Sequence, residues 1–258
     1  MKNTKIDKLA NNLVKAFINN KTIAPIPLKF TKNIREAEKL RRLCESKIKQ
    51  PIIGFKAGGT SISMLKKWGI KKPFYAAVYK KNLLKSGKRV KTNPYTLGAE
   101  LEVGYYIKKS FFNSKSPITT NNIHKFISHR LPAIEIAGYR QRKKGVKYLG
   151  DLCSDFGANI KFLVGKKTKH KKTNSGNLRT NLSNKKINQS VNGNTNTVYI
   201  NPLNSLKLVL NFIKKDKINL NKDFYVFTGS TVGVVPILAK GLYEGKIEKA
   251  GSVKVQIV

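Results

Sequence analysis

The sequence predicts an α+β fold in which short strands outnumber helices. Three observations support this prediction: apolar residues recur at helical spacing near the N-terminus, short apolar runs bounded by turn residues dominate the later part of the chain, and the two kinds of element do not alternate regularly. The 258 residues, 40% of them hydrophobic, are enough for one sizeable core. We therefore predict one structural unit, with an N-terminal helical segment at residues 1–50 followed by a strand-rich domain at residues 51–258.

Three helices have clear signals. Apolar residues at helical spacing indicate the first helix over residues 5–19: Ile6, Leu9, Leu13, Val14 and Phe17. Asn33 can cap a second helix that runs from about residue 34 to residue 48. The third helix begins after Asn201, a favourable N-cap, with Pro202 at the first helical position and a stripe of leucines on one face.

Short strands account for most of the remaining elements. Residues 52–57 are predicted to form a buried strand that enters the turn Gly58-Gly59-Thr60-Ser61. Over residues 97–107 apolar and acidic side chains alternate, as on a strand with one buried face. Residues 62–95 show no clear pattern of either a helix or a strand. Further strands are predicted at 133–137, 159–165, 224–228, around 246 and at 252–258.

Two segments need separate interpretation. Thr120-Asn121-Asn122 is typical of a helix cap and predicts a helix immediately after it; His124 and His129, five apart, would not share a face, and we interpret both as structural. Residues 166–196 are polar and fit either a disordered linker or a hairpin. We favour a hairpin with Asn192-Gly193 as its turn, because long structureless loops are uncommon inside compact domains.

The charge of the chain is strongly unbalanced. Lys and Arg number 52 against 13 Asp and Glu, which gives a formal net charge of +39. A polyanion partner, either nucleic acid or an acidic membrane, is one interpretation. We favour compositional drift, because the excess is mostly Lys and accompanies many Asn and Ile residues. The basic run at 166–172 also carries no aromatic residue that would stack on bases.

Cysteine content and hydropathy bear on the compartment. Cys44 and Cys153 lie far apart with no metal-binding spacing, so the sequence predicts no disulfide framework and a reducing environment. No stretch approaches the ~20 apolar residues that a membrane span requires. No apolar segment of the kind found in secretion signals comes after the basic N-terminus. We expect a cytoplasmic protein without a membrane span.

Three glutamates form the candidate chemical centre. Glu100 and Glu102, two apart on a predicted strand, project from the same face, and Glu135 lies in an apolar run on another strand. Carboxylates this close repel each other, and a divalent cation would remove that cost. Their oxygen atoms suit Mg²⁺, Mn²⁺ or Ca²⁺. The alternative is a pair of glutamates on a solvent-exposed face, but with only 13 acidic residues in the chain we favour a metal site.

Six motifs occur in an order that resembles a known family. They are G-F-K-A-G-G-T-S at 54–61, E-L-E at 100–102, L-P-A-I-E-I-A-G-Y-R at 131–140, D-L-C-S-D at 151–155, N-P-L-N-S-L at 201–206 and T-G-S at 228–230. Together they resemble the 2-keto-4-pentenoate hydratases of the fumarylacetoacetate hydrolase superfamily, a group that includes decarboxylases. The resemblance spans nearly the whole chain. One departure is Ile200, which stands where the family pattern has glycine.

The resemblance implies a fold and a set of residue roles. The fold would be a mixed, curved β-sheet roll with flanking helices, in a chain that forms homo-oligomers. The metal, Mg²⁺ with Mn²⁺ as the alternative, would be held by Glu100, Glu102 and Glu135. The other implied site residues are Lys56, Thr60 and Asp155 as catalytic groups, with Lys56 moving protons or orienting the substrate, and Gly58, Arg140 and Ser230 as substrate contacts. A surface role for Arg140 is an equal alternative. The substrate would be a 2-hydroxy-2,4-dienoate or its 2-oxo tautomer, hydrated to a 4-hydroxy-2-oxo acid in the breakdown of aromatic compounds.

Three other functions compete with hydration. A decarboxylase of the same family would use the same metal and withdraw electrons onto the same substrate oxygen, so the sequence separates the two reactions poorly. A catalytically weakened relative could retain the scaffold and bind a polyanion with its basic surface. Acylpyruvate hydrolysis is disfavoured, because that reaction uses an early His–Glu pair and no histidine precedes His124.

Overall fold

The computed structural model describes residues 4–172 and 175–258. Its helices are α1 (Lys5–Asn19), α2 (Ile34–Ser46), α3 (Ile62–Lys67), α4 (Leu149–Ser154) and α5 (Pro202–Lys215). Its strands are β1 (Ile52–Gly58), β2 (Phe74–Tyr79), β3 (Leu83–Lys85), β4 (Arg89–Val90), β5 (Thr96–Ile107), β6 (Ile127–Gly138), β7 (Asn159–Val164), β8 (Thr168–Lys169), β9 (Arg179–Asn184), β10 (Gln189–Asn194), β11 (Phe224–Ser230), β12 (Gly241–Ile247) and β13 (Gly251–Ile257). None of these helices is long and apolar enough to cross a membrane.

The strands form two mixed sheets. The larger has the order β2-β1-β11-β5-β6-β7-β3, with β8 also paired to β6, and the smaller has the order β10-β9-β12-β13-β4. Paired strands run antiparallel except β1 with β11, β3 with β7, and β13 with β4. The prediction of an α+β fold built on a curved, mixed sheet with flanking helices is confirmed.

The two sheets share one hydrophobic core. Leu101 on β5 and Val253 on β13 are both fully buried in it. Gly245 on β12 makes room for Leu101, because a Cβ at this glycine would lie 2.5 Å from Leu101 Cδ1. Burial of Leu101 leaves the alternate residues of β5 on the opposite face. This packing therefore decides where the two glutamates of β5 point.

The helices predicted to begin after Asn33 and after Asn201 are confirmed. Asn33 Oδ1 accepts a hydrogen bond from the amide of Arg35 at 2.9 Å, and Asn201 Oδ1 accepts one from the amide of Leu203 at 2.9 Å. Ile200 has a φ of 70° and is 67% exposed. A β-branched residue rarely adopts that conformation. The left-handed backbone explains why glycine is usual in the family pattern at this position.

Two local predictions are wrong in detail. The helix predicted after Thr120 is a single 3₁₀ turn, Ile123–Phe126, because Ile127 already pairs with Ile107 in the sheet. The hairpin predicted within 166–196 is confirmed at 179–194 as β9 and β10, whereas residues 168–169 form β8 and pair with β6; residues 173–174 lie outside the described residues. Its turn, however, is at 185–188, and Gly193 lies inside β10.

Gly193 is needed because the backbones of β10 and of Thr231 approach closely there, and not because the chain turns. A Cβ at this position would lie 2.1 Å from the carbonyl oxygen of Thr231. Only glycine lets β10 approach the loop after β11 this closely. The hairpin is thereby held against the segment after β11.

Candidate metal centre

Three glutamates meet where β5 and β6 pair. Glu100 is directly opposite Glu135 in the antiparallel register, and Glu102 lies two residues further along the same face. One oxygen atom from each carboxylate lies within 4.8 Å of the others. Glu102 and Glu135 are fully buried, whereas Glu100 is partly exposed. The structure thus brings together the three predicted metal ligands.

Lys56 on β1 is the cation that faces this cluster. Its Nζ donates to Glu135 Oε1 at 2.9 Å and to the carbonyl oxygen of Gly157 at 3.1 Å. Burial alone would lower the pKa of Lys56, but the carboxylates of Glu135, Glu100 and Glu102 raise it well above its usual value. Lys56 is therefore a buried ammonium group at neutral pH.

Burial has the opposite effect on the three carboxyl groups. It raises the pKa of Glu100 and of Glu102 to about 7 and that of Glu135 to about 8, and repulsion within the cluster adds to each increase. Lys56 opposes the increase in all three. One ammonium group is thus shared among three carboxyl groups, and full ionisation of the cluster needs further positive charge.

Two oxygen atoms of the cluster accept no hydrogen bond. They are Glu102 Oε1 and Glu135 Oε2, and both are buried. The other oxygen of Glu102 accepts from the amide of Gly229 at 2.7 Å. A buried carboxylate oxygen without a donor is energetically costly, and a cation would satisfy it. These hard oxygen donors therefore fit a divalent metal such as Mg²⁺, Mn²⁺ or Ca²⁺.

The backbone of Gly229 is a site group that the sequence pattern did not identify. Gly229 has a φ of 109°, and a Cβ there would lie 2.1 Å from Thr60 Oγ1. A side chain at this position would therefore displace the amide from Glu102 or push Thr60 away. The glycine of the T-G-S motif was the sequence signal for this group. Only the structure shows that its amide donates to Glu102.

A cavity of about 470 Å³ opens beside the glutamates. This volume lies within the range of about 300–1,000 Å³ that is usual for small-molecule sites. Five of the predicted site residues line the cavity: Lys56, Gly58, Thr60, Glu100 and Ser230. Asn192 and Gly193 of β10 and the loop after β11 complete its wall. The packing of Phe74 also requires Gly58, because a Cβ there would lie 2.2 Å from the ring.

A left-handed turn positions Lys56 at this cavity. Phe156, Gly157 and Ala158 have φ angles of 52°, 71° and 55°. Residues other than glycine seldom adopt such angles, and strained backbone often occurs at functional sites. The carbonyl of Gly157 accepts from Lys56, and a Cβ on Gly157 would lie 2.8 Å from that of Ala76. The turn therefore fixes the direction of the ammonium group.

Arg140 and Asp155 do not reach this cavity. Asp155 is buried and accepts from the amides of Arg140 and Gln141 at 2.7 and 3.1 Å, and from Arg140 Nη1 at 3.3 Å. The Arg140 guanidinium lies over Phe17 and Phe156 and lines a different cavity. The geometry thus separates this pair from the other predicted site residues. Asp155 instead anchors the start of the left-handed turn.

The three histidines lie away from the carboxylates. His124 Nδ1 and His170 Nε2 are 2.9 Å apart, with the rings stacked, and His129 contacts Ser128. All three line a surface pocket together with Lys108, Lys169 and Lys172. These lysines make the pocket unfavourable for a cation. A structural role for His124 and His129 remains a prediction.

The raised pKa values lead to a prediction about pH and stability. Because the folded values of about 7 to 8 exceed the value of about 4.3 for Glu in an unfolded chain, proton binding stabilises the folded state. This contribution is complete below about pH 4 and is lost as the pH rises through 7 and 8. We expect urea to unfold the metal-free protein more easily at pH 8.5 than at pH 6.

The control for this prediction is the variant Glu102→Gln, which has one fewer carboxyl group in the cluster. Its loss of stability between pH 6 and pH 8.5 should be smaller than that of the wild type. An identical loss in the two proteins would show that the pH dependence arises elsewhere in the chain.

Comparison with known proteins gives matches among solved structures. No family model and no curated protein matches the sequence. Among solved structures, 4-oxalocrotonate decarboxylase from Pseudomonas putida G7, complexed with magnesium and adipate, is 18% identical, with a TM-score of 0.81. The match covers 100% of this chain and 99% of that one.

Two further matches cover less of the chain. Fumarylpyruvate hydrolase from Pseudomonas aeruginosa, in complex with Mn²⁺ and pyruvate, is 12% identical over 82% of this chain and 92% of that one, with a TM-score of 0.54. A putative fumarylacetoacetate hydrolase family protein from Yersinia pestis CO92 is also 12% identical, over 82% and 95%, with a TM-score of 0.55. The chain therefore has the fold of the fumarylacetoacetate hydrolase superfamily, and among these matches it is most similar in structure to the decarboxylase.

Proposed function

We propose that this chain is a divalent-metal-dependent lyase that hydrates a 2-hydroxy-2,4-dienoate or its 2-oxo tautomer. The observation that carries the proposal is the cluster of three carboxylates, in which two buried oxygen atoms have no donor, beside a cavity of about 470 Å³. A bound divalent cation supplies Lewis-acid polarisation of a substrate oxygen. The similarity to solved enzymes complexed with magnesium or Mn²⁺ supports such a cation.

The ligand roles derive from the contacts of each glutamate. We assign Glu100, Glu102 and Glu135 to the metal, with Mg²⁺ as the first candidate and Mn²⁺ as the second. The amide of Gly229 orients Glu102, and Lys56 orients Glu135. Such partners of metal ligands fix the ligand geometry and affect the affinity for the metal.

Lys56 is the proposed acid. Because it is protonated at neutral pH and lines the cavity, its Nζ can give a proton to the far end of the dienoate. Thr60 and Ser230 line the same cavity, and we assign them to orienting the substrate. Arg140 and Asp155 receive no role in contacting the substrate, since neither lines this cavity.

Decarboxylation of a 2-oxo acid is the second candidate function. The match to 4-oxalocrotonate decarboxylase over 100% of this chain favours it. Both reactions withdraw electrons onto the 2-oxygen of the substrate. They differ in the subsequent bond change, because water adds to the substrate's carbon chain in one reaction and carbon dioxide leaves it in the other.

One pair of assays tests both candidates. Purified protein with Mg²⁺ is mixed with 2-hydroxypenta-2,4-dienoate, and loss of the diene's ultraviolet absorbance is monitored; a parallel reaction with 4-oxalocrotonate is monitored for carbon dioxide. Hydration predicts metal-dependent loss of absorbance, which a chelator stops. Carbon dioxide release alone would replace hydration with decarboxylation. No reaction with either substrate, or with longer dienoates, would contradict the lyase proposal and leave a relative with changed chemistry.

A further inference from the structure

A second cavity, of about 480 Å³, lies apart from the glutamates and shares no lining residue with the first. It is bounded by the C-terminal end of α1, the segment around β4, and the ends of β6 and β7. Its lining contains six cationic side chains and no acidic one: Lys21, Lys81, Arg89, Lys91, Arg140 and Lys161.

These six cations have little neutralising charge. Within the part of the chain that the structure describes, their ion pairs amount to one, between Arg140 and Asp155 at 3.3 Å. Lys81 instead donates to the carbonyl oxygen of Phe17 at the end of α1, and Lys161 donates to the carbonyl oxygen of Lys81 at 2.8 Å. Backbone dipoles, and not carboxylates, therefore hold the two inner lysines in place.

The inner cations also perturb one another. Burial and the charges of Arg140 and Lys161 lower the pKa of Lys81 to about 8, and burial and Arg140 lower the pKa of Lys161. Burial likewise lowers the pKa of Arg140 in spite of Asp155. Positive groups held together in this way favour a bound anion, because an anion offsets their mutual repulsion.

We propose that this second cavity binds a small, multiply charged phosphate, with the charge of a di- or triphosphate group. Lys and Arg donors that converge on one concavity suit phosphate oxygens. The number of cations exceeds what a single carboxylate or orthophosphate would neutralise. This site goes beyond the proposed lyase function, because it contains none of the proposed metal ligands and shares no lining residue with the first cavity.

A nucleic acid strand fits the cavity less well than a small phosphate. Binding of single strands relies on aromatic side chains that stack on bases. The two aromatic residues of the lining, Phe17 and Tyr139, are at most 1% exposed and pack inside the core. The cavity therefore offers charge in a confined space without a stacking surface.

The test is calorimetric titration of the full chain with inorganic tripolyphosphate at 150 mM NaCl in metal-free buffer. Two double variants carry the same change in charge. Arg89→Gln with Lys91→Gln removes two exposed cations of the cavity, and Lys185→Gln with Lys186→Gln removes two exposed lysines from the β9–β10 turn. Because all four residues are exposed, both variants should fold.

We expect one tripolyphosphate site per chain, weakened about tenfold or more in the cavity variant and less than about twofold in the hairpin variant. Equal weakening in the two variants, or several equivalent sites per chain, would overturn the proposal in favour of general attraction to a basic surface. A titration with a single-stranded oligonucleotide completes the test. If the oligonucleotide depends on the cavity cations and tripolyphosphate does not, the site is one for nucleic acid and the proposal is wrong.

Discussion

Replacing Glu102 with Gln is expected to lower the metal-dependent rate by about 10³-fold or more. The variant removes one negative charge and one strong ligand while preserving side-chain size, and its amide oxygen can still accept from Gly229. Metal catalysis of this kind supplies several kcal/mol, and each 1.36 kcal/mol corresponds to about a tenfold change in rate. The measurement is the initial rate with the substrate that the paired assays identify.

A stability measurement separates loss of the metal from damage to the fold. Magnesium or manganese at about 100 times its dissociation constant should stabilise the wild type by about 2.7 kcal/mol against unfolding. Glu102→Gln should lose most of that stabilisation. Without metal at pH 8.5, the same variant should be at least as stable as the wild type, because a neutral amide replaces one of three repelling carboxylates.

The matched control is Glu244→Gln on β12, where the glutamate is partly exposed and contacts Lys246 and Lys254. This variant has the same chemical change at a glutamate outside the cluster and should keep both the rate and the metal-induced stabilisation. If Glu102→Gln is stabilised by metal as strongly as the wild type, the cation binds elsewhere and the proposed centre is wrong.

The three clustered glutamates were predictable as candidate metal ligands because their signals are local. The two-residue period of a strand places Glu100 and Glu102 on one face, and an apolar run around Glu135 marks a buried acid. The register that sets Glu100 opposite Glu135 is a long-range property of the sheet, which no local pattern encodes. For the same reason, only the structure identifies the amide of Gly229 as a donor to Glu102 and the carbonyl of Gly157 as an acceptor from Lys56.

The same distinction applies to the fold. The helices α1, α2 and α5 were predictable, because helix caps and apolar stripes depend on residues that are close together in the sequence. The strand β2 has no alternation, because all six of its residues are buried, and α3 is too short for a helical period to be seen. The turn predicted at Asn192-Gly193 was wrong, because a sequence does not distinguish a glycine needed for close packing from a glycine needed for a turn.

Replacing Lys56 with Gln is expected to lower the turnover number by about 10²–10⁴-fold, the usual contribution of a positioned general acid. Its effect on the metal should differ from that of Glu102→Gln. All three carboxylates remain, so a divalent cation should still stabilise the variant against unfolding. With Lys56 gone the carboxyl groups hold their protons more tightly, and metal binding should therefore shift to higher pH. We would measure stabilisation by metal at both pH 7 and pH 8.5.

The contrast between the two variants separates the possible roles of Lys56. Without metal, Lys56→Gln should unfold more easily than the wild type, because removing one partner of a buried ion pair costs about 3–5 kcal/mol where the other partner stays charged. Lys66→Gln, an exposed change on the neighbouring helix α3, should alter neither rate nor stability. A Lys56 variant that binds metal at pH 8.5 but turns over slowly identifies the ammonium as a proton donor. Full activity in that variant would mean that Lys56 only neutralises Glu135, and the proton would have to come from another group of the cavity.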